Sequence, residues 1–383
     1  MTSIYFDHAA TTPMIPEAVA AYAEAAGAGP GNPSSLHAFG RASRSRVTAA
    51  RDTLARLLGC MPSELVFTGS GTESDNSALF GAAVAQRAKG RTGIVTTAVE
   101  HHAVLNACLQ LEKQGFRLTV LPADETGRVS PEAAAAAIDE STAVVSVMAG
   151  NNETGTLQPY EEIGRIARER GAVMHVDAVQ AFGYERWNLQ SLPVDLISVS
   201  AHKINGPQGV GLLYVKRGTP FQPLLHGGTQ ERARRAGTEN VPGISAFAEA
   251  ANIAFRNMDE RIRHVRDVRD SFLQALQAEL GEDAFQLNGH QELRLPHIAN
   301  VSFFGMSSET LLMNLDLAGV AASGGSACTS GSLQPSHVLT AMNLSRERVQ
   351  SAVRFSFGFG NTREEAEKTA KIIATISARL RIS

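Results

Sequence analysis

Along the chain, short and nearly continuous apolar runs alternate with longer stretches in which apolar positions recur every three or four residues. The runs ELVF, GIVTTA, FRLTVLPA, AVVSVMAG, AVMHVD and DLISVS have the length and composition of strands buried on both faces. Between them, LHAFGRASRSRVTAARDTLARLLG, AVLNACLQLEKQG, PEAAAAAI and YEEIGRIARERG have helical periodicity, and an earlier helix, PEAVAAYAEAA, opens on Pro16, which suits a first turn. Arg41, Arg44 and Arg51 fall at helical spacing and are expected on a solvated face. Strict alternation of this kind predicts an α/β fold with a mostly parallel sheet and helices on both faces. Ligands in such sheets gather at the carboxyl ends of the strands.

Near residue 243 the pattern changes. GISAFAEAANIAFRNMDERIRHVRDVRDSFLQALQAELG reads as a long charged helical connector, and beyond it the alternation loosens. Strand HIANVSFF, helix SSETLLMNLDLAG, a Gly/Ser loop, a helix from about Pro335, strand SAVRFSFG and helix TREEAEKTAKIIATISARL predict a smaller α+β unit. The expected division is a large domain over 13–255 and a small one built from 1–12 and 256–383.

Composition narrows the class. Of 383 residues 43% are hydrophobic and 19% charged, and the net charge is −3. That suits a globular enzyme, and it supplies no basic field to recruit nucleic acid. The N-terminus MTSIYFDHAATTP lacks the flank and core of a signal peptide, and no later run is long enough to span a bilayer. A cytoplasmic protein without membrane association is expected. Three widely spaced cysteines give neither a disulfide framework nor a metal knuckle. Cys60 and Cys108 sit in helical contexts and are expected to pack. Cys328 lies in ASGGSACTSGSLQPSH, among small residues with nothing to bury it, which points to thiol chemistry.

The strand ends carry the remaining chemistry. DLISVS stops at Ala201-His202-Lys203 before a Gly/Pro-rich turn, where a partly desolvated lysine amine becomes a usable nucleophile. ELVF runs into Thr68-Gly69-Ser70-Gly71-Thr72 at a helix start, a natural phosphate cradle that lacks the GKS or GKT of a nucleotide loop. GIVTTAV leads to Glu100-His101-His102, whose adjacent histidines lack the i, i+4 spacing of a helical metal pair, so no metal is expected. AVVSVMAG leads to Asn151, Asn152 and Glu153; AVMHV leads to Asp177, with Gln180 three residues on. Together these fit pyridoxal 5'-phosphate, which needs a Schiff-base lysine (Lys203), an anionic partner for its ring nitrogen (Asp177) and a phosphate site. Gln180 suits the ring oxygen and His101 the ring face.

The blocks YFDHAATTP, GNPSSLHAFGR, FTGSGTESDN, EHHAV, NNETGTLQP, HVDAVQAFG, SAHKINGPQGVG, RAGTENVPG, SGGSACTSGSLQPSHVL and VRFSFG, in this order, resemble the cysteine desulfurases of the class V aminotransferase group. The cysteine loop looks like the longer version of the NifS-like branch. The resemblance implies fold type I with a seven-stranded sheet. It also implies that Gly71, Thr72, Ser200 and His202 hold the phosphate, that Asp177 and Gln180 hold the ring and that His101 stacks on it. Asn152 then lies near the substrate and the cofactor's ring oxygen and helps to bind both, Arg354 binds the substrate carboxylate, and Thr238 reaches the phosphate of a partner subunit in a homodimer. Lys203 and Cys328 carry catalysis: the lysine moves the Cα proton of L-cysteine, and the thiolate, deprotonated with help from His101, takes the sulfur and leaves alanine. The persulfide on Cys328 then serves a sulfur-acceptor protein, an iron-sulfur scaffold or a tRNA sulfurtransferase. Because the chain stops at Ser383 straight after a helix, a scaffold-gripping tail is not expected, and the acceptor stays open between the two. Arg232, Arg234 and Arg235 are expected at a subunit interface or in solvent. A selenocysteine lyase, another pyridoxal-phosphate aminotransferase and a catalytically dead scaffold with this fold are the alternatives. The mobile thiol argues against an aminotransferase, and Lys203, Asp177 and Cys328 together argue against the scaffold.

Overall fold

The computed structural model describes residues 3–325 and 335–382, so Cys328 lies outside the described residues. In chain order the elements run β1 (Ile4–Tyr5), α1 (Pro16–Gly27), α2 (Ala38–Leu58), β2 (Leu65–Thr68), α3 (Gly71–Arg87), β3 (Gly93–Thr97), α4 (His102–Lys113), β4 (Arg117–Leu121) and α5 (Pro131–Ala137). They continue with β5 (Thr142–Ser146), α6 (Tyr160–Glu169), β6 (Val173–Asp177), β7 (Leu196–Ser200), β8 (Gly211–Val215), a one-turn segment α7 (Gln230–Ala233) and α8 (Val241–Arg256). The rest is α9 (Met258–Leu280), β9 (Phe285–Asn288), β10 (Ile298–Phe303), α10 (Ser308–Leu317), β11 (Val320–Ala321), α11 (His337–Ala341), α12 (Arg346–Gln350), β12 (Ala352–Ser356) and α13 (Arg363–Ile382).

Among the described residues the main sheet has seven strands in the order β2-β8-β7-β6-β5-β3-β4. The β4-β3-β5-β6-β7 block is parallel, while β8 runs antiparallel to both β7 and β2, so the mostly parallel sheet expected from the pattern is present. Successive strand residues split between two apolar layers, as a period of two requires. Val66, Ile94, Val144, Leu196 and Leu213 pack with Leu79 and Ala83 of α3 and with Val104 and Leu111 of α4. Val95, Val145, Met174, Ile197 and Leu212 face the other layer, with Leu54 of α2, Ile163 of α6 and Phe247 of α8. Cys108 is fully buried in the first layer and Cys60 packs against the second, as expected of both.

The predicted connector is two helices. It breaks at Asn257, α8 packing on α1 and α2 while α9 packs on α13. A three-stranded antiparallel sheet, β12-β10-β9, and a short parallel pair, β1-β11, are the other sheets among the described residues.

One expectation is wrong. Arg41 and Arg44 are exposed, but Arg51 is only 8% exposed. Its guanidinium donates to both carboxylate oxygens of Glu231 (2.8 and 2.6 Å) and to the Leu65 carbonyl, and stands 4.6 Å from the centre of the Phe67 ring. Helical spacing places a residue on a face without saying what covers that face, and here the covering partner comes from 180 positions away.

Candidate active site

The carboxyl ends of β2, β3, β5, β6 and β7 open on one cavity of about 180 Å³. Gly71, Thr72, His101, Asn152, Asp177, Gln180, Ser200, His202, Lys203 and Arg354 all line it. At its floor α3 begins. Ser70 caps the helix by accepting from the Glu73 amide at 3.1 Å, which leaves the first turn aimed at the cavity. A Cβ on Gly71 would stand 2.8 Å from Val179 Cγ2, so only glycine leaves this cradle open.

Lys203 lies in the single turn after β7. Its Nζ donates to the carbonyls of Ala9 (2.5 Å) and Ala10 (2.8 Å), in the N-terminal arm. The Ala9 carbonyl also accepts from Gln180 Nε2 at 2.9 Å, which commits one of that amide's two hydrogens. Gln180 Oε1 lies 3.4 Å from His297 Nε2.

Burial sets the charges. Asp177 accepts from the Val179 amide at 2.9 Å, and its carboxyl is raised by burial despite that bond and the nearby Lys203. Behind it lie Asp75, 1% exposed and raised well above the carboxylate range by burial and by Asp177, and Glu100, raised by burial to about 8. His175, held between Ser146 (2.8 Å) and Ser198 (2.9 Å), stands 3.6 Å from Asp75 and is pushed by burial to about 3, hence neutral. His101 and His202 are each lowered to about 4, by burial first and then by Lys203. His101 Nδ1 caps α4 by accepting from the Ala103 amide at 3.1 Å, so the neutral ring carries its proton on Nε2.

Opposite the lysine, Arg354 of β12 is 1% exposed; it donates to the Asn152 carbonyl (2.8 Å) and to Asp7 (2.9 Å). Asn152 Oδ1 is buried with no hydrogen-bond partner among the described residues. Such an atom fits a ligand better than a packed core. Thr238, by contrast, is exposed and does not line the cavity.

Sequence reasoning missed Asp75, Met148 and the arm residues Ala9 and Ala10, all of which line the cavity. For the arm the available signal was the small-residue run HAATT just before the first helix. Asp75, inside a polar helix start, gave none. A backbone amide cradle, a carboxylate, neutral imidazoles, a lysine and an arginine on one cavity fit an anionic, aromatic, aldehyde-bearing cofactor such as pyridoxal 5'-phosphate.

Comparison with known proteins agrees. The aminotransferase class-V family matches residues 4–369. The putative cysteine desulfurase IscS 1 of Bacillus subtilis is 48% identical, covering 99% of this chain and all of its own length. The cysteine desulfurase IscS of Methanosarcina thermophila is 44% identical over 99% of this chain and 93% of its own. A solved NifS-like protein superposes with a TM-score of 0.91 at 36% identity, over 99% of this chain and all of that one. The α/β architecture is thus that of fold type I, and the chain belongs to the aminotransferase class-V family, among its cysteine desulfurases.

Proposed function

We propose that the protein takes sulfur from L-cysteine, releases L-alanine and passes the sulfur through Cys328 to an acceptor protein. The observation that carries this is the convergence of Lys203, Asp177, His101, Arg354 and the α3 cradle on one cavity. Gly71, Thr72, Ser200 and His202 would hold the phosphate of pyridoxal 5'-phosphate, Asp177 its ring nitrogen, Gln180 its ring oxygen and His101 its ring face, with Lys203 as the Schiff-base lysine. When bound, the cofactor supplies an electron sink for a substrate carbanion.

The chain's own groups do the rest. Arg354, a planar fork fixed by Asp7 and the Asn152 carbonyl, suits the substrate carboxylate, with the Asn152 amide alongside. The Lys203 amine receives the Cα proton, steadied meanwhile by the Ala9 and Ala10 carbonyls. His101, being neutral, receives the thiol proton of Cys328 at Nδ1 and gives up its Ala103 contact in doing so. The Cys328 thiolate attacks the substrate sulfur; the Cβ–Sγ bond breaks with its electron pair going to carbon, which takes up a proton. L-cysteine and a thiol become L-alanine and a persulfide, so atoms and electrons balance.

The reading extends to a homodimer, supported by the exposure of Thr238 away from its own chain's cavity, where it is free to serve a partner's phosphate. It also extends to a large domain over 13–255 and a small one from 1–12 and 256–383, supported by the change of packing partner at Asn257. A reducing compartment, the cytoplasm, suits a working free thiol. The acceptor is an iron-sulfur scaffold or a tRNA sulfurtransferase. The test is anaerobic incubation with L-cysteine, reading alanine and sulfide for wild type and Cys328→Ala. The expected result is a persulfide in the wild type, and in the variant a retained cofactor colour without sulfide. Equal sulfide from both would overturn the reading in favour of a selenocysteine lyase or an aminotransferase.

A further inference from the structure

Two residues beyond Lys203 the chain turns at Asn205, which is 3% exposed and has φ +65°, in the left-handed region that asparagine enters more readily than most residues with a side chain. All four of its polar groups are bonded, three of them to one segment. The amide donates to Thr12 Oγ1 (2.7 Å), the carbonyl accepts from the Ile15 amide (3.2 Å), and Nδ2 donates to the Pro13 carbonyl (2.8 Å). The fourth, Oδ1, accepts from Arg261 of α9 at 2.8 Å. A guanidinium only donates, so Arg261 settles which end of the side-chain amide faces it and leaves Nδ2 for Pro13. Arg261 is itself buried and donates also to Tyr184 Oη at 3.2 Å.

The segment so gripped is the N-terminal arm, whose Ala9 and Ala10 carbonyls accept from Lys203 Nζ. The arm's other end is held by β12, where Ser356 Oγ accepts from the Ala9 amide at 2.8 Å. Thr12 adds a bridge of its own: its amide and its hydroxyl both donate to the His202 carbonyl (2.9 and 2.7 Å), directly before the lysine. The turn that carries the amine and the arm that receives it are therefore pinned to each other on both sides of Lys203, at His202 and at Asn205. Loosening either pin shifts the acceptors relative to the amine, and neither Thr12 nor Asn205 lines the cavity.

We propose that Asn205 is a positioning residue for proton transfer at the substrate Cα, holding the Lys203 turn and the N-terminal arm in the register that keeps the free lysine amine on the Ala9 and Ala10 carbonyls. The inference rests on the reading of Lys203 as the group that moves that proton. Its physical basis is geometric: an amine that waits in one place meets the Cα proton without a search, and a misplacement of about 1 Å costs on the order of a hundredfold in rate. Arg261 orients the Asn205 amide, and the Asn205 amide fixes the arm.

The experiment compares wild type, Asn205→Gly, Thr12→Val and Lys203→Ala, each loaded with pyridoxal 5'-phosphate. Glycine keeps the left-handed turn and removes only the side-chain bonds. Thr12→Val breaks the link from the arm's side with little change of shape, and keeps the test open if Asn205→Gly fails to fold. Exchange of the Cα proton of L-alanine with heavy water reads the proton transfer without Cys328, and cofactor absorbance reads occupancy. Asn205→Gly and Thr12→Val are expected to exchange about tenfold or more slowly per bound cofactor, with cofactor affinity unchanged. The effect of Cα deuteration of L-cysteine on kcat should grow in both, as proton transfer comes to limit turnover. In the apoprotein, where no activity enters the measurement, amide hydrogen exchange over residues 9–15 should quicken in both variants. Wild-type exchange of L-alanine per bound cofactor in either variant, with Lys203→Ala inactive, would overturn the role of Asn205 and leave that of Lys203 standing. So would a loss of rate only in step with lost cofactor. Exchange at the wild-type rate by Lys203→Ala would remove the reading of the lysine, and this inference with it.

Discussion

Glu100 tests the electrostatics under the site without touching it. It is fully buried in the turn after β3. Its Oε1 accepts from the Met148 amide (2.8 Å) and from Thr97 Oγ1 (2.9 Å), while Oε2 is buried without a partner among the described residues. Burial, with a further push from Asp177, raises the carboxyl from 4.5 to about 8, so at neutral pH the folded protein holds a proton there that the unfolded chain has lost. The stabilisation this group contributes is full below pH ~4.5 and is lost as pH rises through about 8. Glu100→Gln mimics the protonated acid: it keeps Oε1 for both donors and puts an amide where Oε2 lies. At about 1.4 kcal/mol per pH unit, the variant should gain on wild type by on the order of 3 kcal/mol between pH 5 and pH 8. The assay is urea unfolding of both proteins, cofactor-loaded, at pH 5, 6.5 and 8. Asp75, Asp177 and the lowered histidines titrate in both, so the difference between the two curves reports Glu100. A variant less stable than wild type by the same amount at every pH would refute the reasoning, because it would mean that the buried carboxyl is charged and needed as a charge.

Two further outcomes follow from close contacts. Gly71→Ala puts a Cβ 2.8 Å from Val179 Cγ2 and is expected to weaken retention of pyridoxal 5'-phosphate by about tenfold or more. Adding Val179→Ala should restore it, as read by titrating the apoprotein with the cofactor. Glu231→Gln leaves the buried Arg51 guanidinium without its counter-charge and should cost about 3–5 kcal/mol in urea unfolding, whereas Arg51→Met combined with Glu231→Gln should recover most of that.

What the sequence shows and what it hides have different physical origins. Strands such as AVMHVD and DLISVS are legible because both faces are buried, so the run is nearly all apolar, with His175 and Ser198 as interior exceptions that bond to each other. Asp177, Lys203 and His101 are legible because a charged or aromatic polar residue at the end of such a run has no packing reason to be there. The break at Asn257 carries neither glycine nor proline and leaves no mark. The Ala9 and Ala10 carbonyls that hold Lys203 are backbone atoms, with no side-chain signature at all. Arg51 has a side chain that speaks, but its meaning is set by Glu231, and Glu231 is itself unusual. With Arg232 and Ala233 it forms three consecutive non-glycine residues of positive φ (46°, 57° and 61°), each costing about 1–2 kcal/mol in that region. The Arg51 pair and the Phe67 amide, which donates to Glu231 Oε2 at 2.9 Å, offset that cost. The turn they hold leads into the segment where Arg235 pairs with Glu73 in the first turn of α3 and Thr238 faces solvent. An arginine that reads as solvated surface thus anchors the segment on which the proposed second subunit's site depends, and the Arg51–Glu231 variants should disturb subunit association as well as stability.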